Sequence, residues 1–187
     1  MLKLPGGLPI PEVPVSRGRI ASRGAIAILP APLLRAVIKT TDSLKQAREK
    51  WVFGGDAAEI LKGVNIQADR LEIVTTKAGT EEICTLVPER VTLPPADREG
   101  ELGRDALVEA LPFPVKVRSR YAELTVEKVV VEVYGDLQYN IGGWGWGDPF
   151  HFEADYVIVV GARVPIVPLS LKHEKDTVRN LRLTSSQ

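Results

Sequence analysis

The sequence predicts one α+β, or mixed α/β, domain in which a mixed and mostly antiparallel sheet is flanked by helices. Three observations point there. Helical periodicity governs residues 32–50, and two-residue alternation governs most of 115–167. Between them lies a strand, glycine turn, helix, strand run from Trp51 to Gly79. Helices, then strands, then a last helix do not make the regular alternation of a doubly wound parallel sheet. At 187 residues the chain suits a single core that buries roughly 70% of its unfolded surface, so neither disulfides nor a structural metal are required for folding.

The helical stretch comes first. From Pro32 to Lys50, Leu33, Leu34, Val37, Ile38, Leu44 and Ala47 recur at three- and four-residue intervals, and Pro32 suits a first helical turn. Thr40, Thr41, Asp42 and Ser43 are poor helix formers, so a break is expected there, with Asp42 capping a second segment. Trp51 to Phe53 then reads as a strand, Gly54-Gly55 as a turn, Ala57 to Lys62 as a helix and Leu71 to Thr75 as a strand. Thr76 to Leu86 offers a short helix with Thr80 as its N-cap. Residues 88–104 are rich in proline, glycine and charge and read as a surface loop, followed by one or two helical turns over 104–111.

Beyond this point the period is two. Val115, Val117 and Ser119 alternate with Lys116, Arg118 and Arg120. Further strands are expected at Tyr121 to Val126, Lys128 to Tyr134, Leu137 to Ile141, Asp155 to Val160 and Arg163 to Val167. Gly135-Asp136 signals a turn or bulge. Gly142, Gly143, Gly145 and Gly147 surround Trp144 and Trp146 in a loop that either presents its indoles to a base or partner or folds them over the sheet. A last helix is expected from Ser170 to Leu181. Residues 1–28 hold Pro5, Pro9, Pro11 and Pro14 and read as an arm, leaving 29–187 as the domain.

Composition narrows the function. Lys plus Arg and Asp plus Glu are 24 each, so no global basic field favours indiscriminate binding of nucleic acid. One cysteine, Cys84, excludes an internal disulfide and a cysteine-based metal cluster, which fits the cytoplasm. The leading MLKLPGG lacks the apolar run of a signal peptide, and Pro30, Pro32, Pro165 and Pro168 interrupt the most apolar stretches, so neither export nor a membrane span is expected. His151 and His173 have no ligand at zinc spacing, and Arg17, Arg19, Arg23, Lys172 and Lys175 read first as solvated charge. A Trp loop and an N-terminal strap would suit a homodimer.

The glycine turn carries the functional reading. Glycine lets backbone N–H groups approach an anion and a helix N-terminus adds a favourable dipole, so Gly54 and Gly55, with Asp56 and Arg70 beside them, are the candidate nucleotide-binding residues. Asp56 follows directly; the commoner use of an aspartate there is to cap the helix.

In order and spacing, these pieces resemble the nucleotidyltransferase superfamily, whose fold includes DNA polymerase beta and the lincosamide and aminoglycoside nucleotidyltransferases. The carriers are Gly54-Gly55, Gly63-Val64, Arg70-Leu71-Glu72-Ile73 and the Thr75-Thr76-Lys77-Ala78-Gly79 ending. Further on come Val131-Glu132-Val133-Tyr134-Gly135-Asp136 and Trp146-Gly147-Asp148-Pro149. The likeness is closest to small prokaryotic nucleotidyltransferase-like proteins and spans residues 30–175. It implies an acidic pair two residues apart on one strand, a third carboxylate on a neighbouring strand, and Mg2+ that activates a hydroxyl toward a nucleoside triphosphate. Glu72 would be the second acidic residue and Glu132 the third, making both metal ligands.

Arg70 stands where the first aspartate belongs. A guanidinium is always protonated and has no lone pair for a cation. Asp69 is one residue off and should point to the opposite face unless a bulge re-aims it. Two readings follow. In one, the metal site has degenerated, Arg70 neutralises Glu72, no cofactor is needed, and the pseudoenzyme binds a nucleotide, RNA or a protein. In the other, a divergent transferase uses Glu72, Glu132 and a rerouted Asp69 or Asp56, with Mg2+, to move a nucleotidyl group from a nucleoside triphosphate to a small molecule, protein or RNA.

Overall fold

The structure, a computed structural model, describes residues 29–64, 67–101 and 115–167. The proline-rich arm, the turns expected at 104–111 and the last helix with Lys172, His173 and Lys175 lie outside the described residues. In chain order the elements are α1 (Ala31–Ser43), β1 (Trp51–Gly54), α2 (Gly55–Leu61), β2 (Leu71–Thr75), α3 (Lys77–Leu86) and a 3-10 turn (Pro88–Arg90). Five strands follow: β3 (Val91–Glu101), β4 (Val115–Val126), β5 (Val129–Ile141), β6 (Asp155–Val159) and β7 (Ala162–Ile166). The strands form one mixed sheet in the order β3-β4-β5-β2-β1-β7-β6. Its β2–β5 and β1–β7 pairs are parallel and the other neighbours antiparallel. No helix among the described residues is long and apolar enough to cross a membrane.

One face of the sheet meets the helices. Leu71 and Ile73 of β2, Val131 and Val133 of β5, and Ala122 and Leu124 of β4 are buried there with Phe53, Val157, Val159, Val164 and Ile166. Burial of each such side chain contributes about 1.5–3 kcal/mol for the larger ones, so this layer holds the sheet in register. Helix α1 supplies Leu33, Ala36, Val37, Thr40 and Thr41 at helical spacing. The expected break at 40–43 does not occur. Thr41 donates its hydroxyl to the Val37 carbonyl at 2.8 Å, which satisfies the side chain within the helix, and residues 44–46 then form a turn instead of a second helical segment.

Two further expectations are corrected. The cap of α3 is Thr76, whose hydroxyl accepts from the Gly79 N–H at 2.9 Å, whereas Thr80 is buried one turn later. Thr80 lies against β5 because position 135 has no side chain. A Cβ on Gly135 would stand 2.3 Å from the Thr80 hydroxyl oxygen and 2.7 Å from the Thr76 carbonyl oxygen. Most of the predicted 88–104 loop is β3, which pairs with β4 over 91–101. Proline is tolerated at a sheet edge, and the register shifts between Val91 and Ala96 absorb Pro94 and Pro95.

The two strands expected over 115–126 are one continuous strand, β4. It turns into β5 through Glu127 and Lys128, both at positive φ (53° and 65°), a two-residue hairpin turn that matches strand twist. Glu127 accepts from Lys39 of α1 at 2.5 Å, fastening the turn to the helical layer. The Gly135-Asp136 signal proves to be a bulge, with a register shift between Arg118 and Arg120 on the facing strand.

Candidate functional site

The site lies on the sheet face opposite the helices. Register alone builds it: Gly54 pairs with Glu72, Glu72 with Glu132, and Glu132 with Glu123. In-register residues of adjacent strands share a face, so three carboxylates stand in a row across β2, β5 and β4, ending at the glycine turn. The next row places Tyr134 beside Tyr121, their rings 5.3 Å apart and inclined at 62°.

Glu132 is the best-connected of the three. Its Oε1 accepts from Arg70 Nη1 at 3.2 Å and from the Tyr121 hydroxyl at 3.3 Å, while Oε2 accepts from the Tyr134 hydroxyl at 3.0 Å. The single Tyr121 hydroxyl proton is directed mainly at Glu123, 2.6 Å away, which leaves the contact to Glu132 the weaker one, and Arg98 lies over the Tyr121 ring at 5.0 Å. Burial, reinforced by the Glu123 hydrogen bond and the Glu132 charge, drives the Tyr121 phenol well above its ordinary range. Burial first, then the charges of Glu132 and Glu72, does the same for Tyr134. Both phenols therefore stay protonated and act as donors to the carboxylates.

Arg70 lies just before β2. Its Nε donates to Asp69 at 3.1 Å and its Nη1 to Glu132, so the guanidinium forms an ion pair with each. The Asp69 hydrogen bond, and then the Glu132 charge, raise the affinity of Arg70 for its proton still further. Asp69 is exposed and shifts the opposite way, lowered by the Arg70 hydrogen bond and charge. It is drawn to Arg70 and lies outside the carboxylate row.

At the other end of the row, Gly55 begins α2 at φ +56°. A Cβ there would stand 2.4 Å from the Glu72 carboxyl carbon and 2.5 Å from each of its oxygens. The Glu72 carboxylate thus rests directly on the glycine turn. Gly54 is the residue that precedes α2 at the cap position, and Asp56, exposed in the first turn, does not cap the helix as expected.

Among the described residues, no three Asp, Glu, His or Cys side chains form a group able to hold a metal ion. His151 is exposed and Cys84 is buried, its thiol pushed up to about 11 by burial and by the nearby Glu81 charge. In the glycine loop, Trp146 packs under the Arg118 guanidinium at 4.5 Å, while Trp144 remains 80% exposed. The loop is pinned by Gly147 N–H to the Tyr139 carbonyl at 3.0 Å and by Gln138 Nε2 to the Gly147 carbonyl at 2.7 Å.

Of the residues singled out in the sequence, the structure brings Gly54, Gly55, Glu72, Glu132 and Arg70 together and leaves Asp69 and Asp56 exposed outside the row; Tyr121, Glu123 and Tyr134, which join them, were not singled out. A signal was present. Tyr121 and Glu123 are two apart, as are Glu132 and Tyr134, and a hairpin closing at Val126 and Val129 brings the four together. The glycine-free turn Glu127-Lys128 hid that closure.

No family model matches the sequence, and no curated protein sequence matches it significantly. A solved structure does match: a candidate nucleotidyltransferase from Thermotoga maritima, with 22% identity and a TM-score of 0.65. The superposition covers 84% of this chain and 91% of that one. The fold is nucleotidyltransferase-like. Within this nucleotidyltransferase-like sheet the glycine turn, Glu72 and Glu132 are adjacent, on three neighbouring strands.

Proposed function

We propose that this chain is a nucleotidyltransferase-fold protein whose metal site has degenerated and which acts as a binding module. The observation that carries the reading is the Arg70 guanidinium on Glu132, in the position where the resemblance calls for a first acidic ligand. Both Glu132 oxygens already accept from protein donors. A divalent ion would have to displace those donors and sit beside a fixed positive charge, so this donor set does not fit Mg2+.

The position of Glu72 bears on the ligand. A nucleotide or RNA phosphate approaching Gly55 would meet the Glu72 carboxylate, which fills the space where a side chain at position 55 would stand. A protein partner is the better match of the three, because its recognition needs no polyphosphate in the glycine turn. The carboxylate row, its tyrosines and Arg70 then act as a hydrogen-bonding surface of fixed charge.

One observation favours the second reading, an active and divergent transferase: Glu72 and Glu132 are in register on one face. The discriminating experiment incubates the protein with labelled nucleoside triphosphates and Mg2+ or Mn2+, together with Glu72→Gln and Glu132→Gln. The binding-module reading expects no transfer or self-modification by any of the three. Transfer by the native protein that disappears in both variants overturns it.

A further inference from the structure

We infer that the outer edge of β6 pairs with β6 of a second copy of this chain, antiparallel about a two-fold axis at Val157. The two edges of the sheet are unlike. The β3 edge carries Pro94, Pro95, Asp97, Arg98 and Glu99, the usual means of discouraging edge-to-edge pairing. Strand β6 has no proline and no charge between Asp155 and Val159. Val157 and Val159 are buried on the helix side, whereas Tyr156, Ile158 and Val160 are 39%, 39% and 64% exposed.

Hydrogen-bond geometry makes that edge available. Val160 and Gly161, at φ 49° and 80°, form a two-residue turn, so Val159 and Ala162 are the closing pair. Alternation then directs the N–H and C=O of Val157 and Asp155 toward β7, and those of Tyr156 and Ile158 away from it. Among the described residues no strand accepts them.

The second copy is the occupant that the strand itself specifies. With Val157 on the axis, Tyr156 of one copy faces Ile158 of the other, and vice versa. Each contact becomes an aromatic–aliphatic cross-strand pair, with the outward backbone groups of both residues joined. Arg163 already covers the Tyr156 ring at 3.7 Å and holds it in place. No like charges oppose one another along the pair. A five-residue strand alone is smaller than the roughly 800 Å² per partner of a stable interface, so the dimer should be weak.

Sedimentation velocity on the full chain, from about 1 to about 300 µM, tests this. The native protein should shift from monomer to dimer across the range. Ile158→Lys sets a lysine beside Tyr156 and Arg163 of the second copy, and Ile158→Pro removes an N–H that β7 does not use; each should weaken association at least tenfold. Circular dichroism melts show that the variants are folded, and Val160→Lys serves as a second charge probe if either is not. Amide hydrogen exchange supplies the position: Tyr156 and Ile158 should slow with concentration. A monomer throughout whose Tyr156 and Ile158 amides are already protected would mean that the chain's own residues 1–28 or 168–187 occupy the edge, and would overturn the proposal. So would a dimer unaffected by both Ile158 variants.

Discussion

Replacing Glu132 by glutamine gives a change in stability whose sign separates the two readings of the site. The carboxylate is 13% exposed and accepts from Arg70, Tyr121 and Tyr134. The Arg70 pair is half in solvent, with the guanidinium side chain 52% exposed, and contributes at most about 1 kcal/mol. Tyr121 keeps its 2.6 Å bond to Glu123, and the glutamine carbonyl oxygen can still accept from Tyr134, so the main loss is the charged part of that bond, about 1–1.5 kcal/mol. Against this, removing one charge relieves repulsion from Glu72 and Glu123 on the flanking strands, by about 0.5–1 kcal/mol for each pair. The balance is a loss below about 1 kcal/mol for glutamine, and of about 2 kcal/mol for alanine, which also leaves the Tyr134 hydroxyl without its acceptor. Urea denaturation at pH 7 with a two-state fit measures it. A ligand kept for a metal would instead carry uncompensated repulsion in the metal-free protein, and its removal would stabilise. Stabilisation by about 0.5 kcal/mol or more in Glu132→Gln would refute the assignment of Glu132 to an internally satisfied network.

Gly55→Ala should destabilise by about 1–3 kcal/mol, because φ is positive and the new Cβ collides with the Glu72 carboxylate; combined with Glu72→Ala, the cost should fall short of the sum of the two single changes in the same denaturation assay. Glu82 accepts from the Arg48 and Glu49 N–H groups, which hold its carboxyl below its ordinary 4.5. A depressed pKa contributes stability that is present above the unfolded value and is lost as pH falls through the folded one. Melting temperatures from pH 6 to pH 3 should therefore fall less steeply in Glu82→Gln than in the native chain. Cys84, buried and raised to about 11, should resist an aromatic disulfide reagent at pH 8 until denaturant is added.

Much of the fold was legible because period and spacing are local. The alternation of 129–134 and the buried stripe of α1 follow directly from residue order. What escaped depends on distant partners. Thr40 and Thr41 stay helical through burial and a Val37 carbonyl, which propensity does not contain. Pro94 and Pro95 lie in a strand because it is an edge, and edge position is a property of the sheet. The glycine turn and the two glutamates were legible in the candidate site, since their strands carry recognisable spacing. The Arg70–Glu132 contact was not, because it depends on the pairing of β2 with β5.

The central claim is that Arg70 and the tyrosines, rather than a cation, satisfy the Glu132 carboxylate. Titration of the native chain with Mn2+, followed by electron paramagnetic resonance of the free ion, tests it most directly. The account predicts no stoichiometric binding at near-millimolar Mn2+. Binding of one or two ions per chain, abolished by Glu72→Gln and by Glu132→Gln, would contradict it.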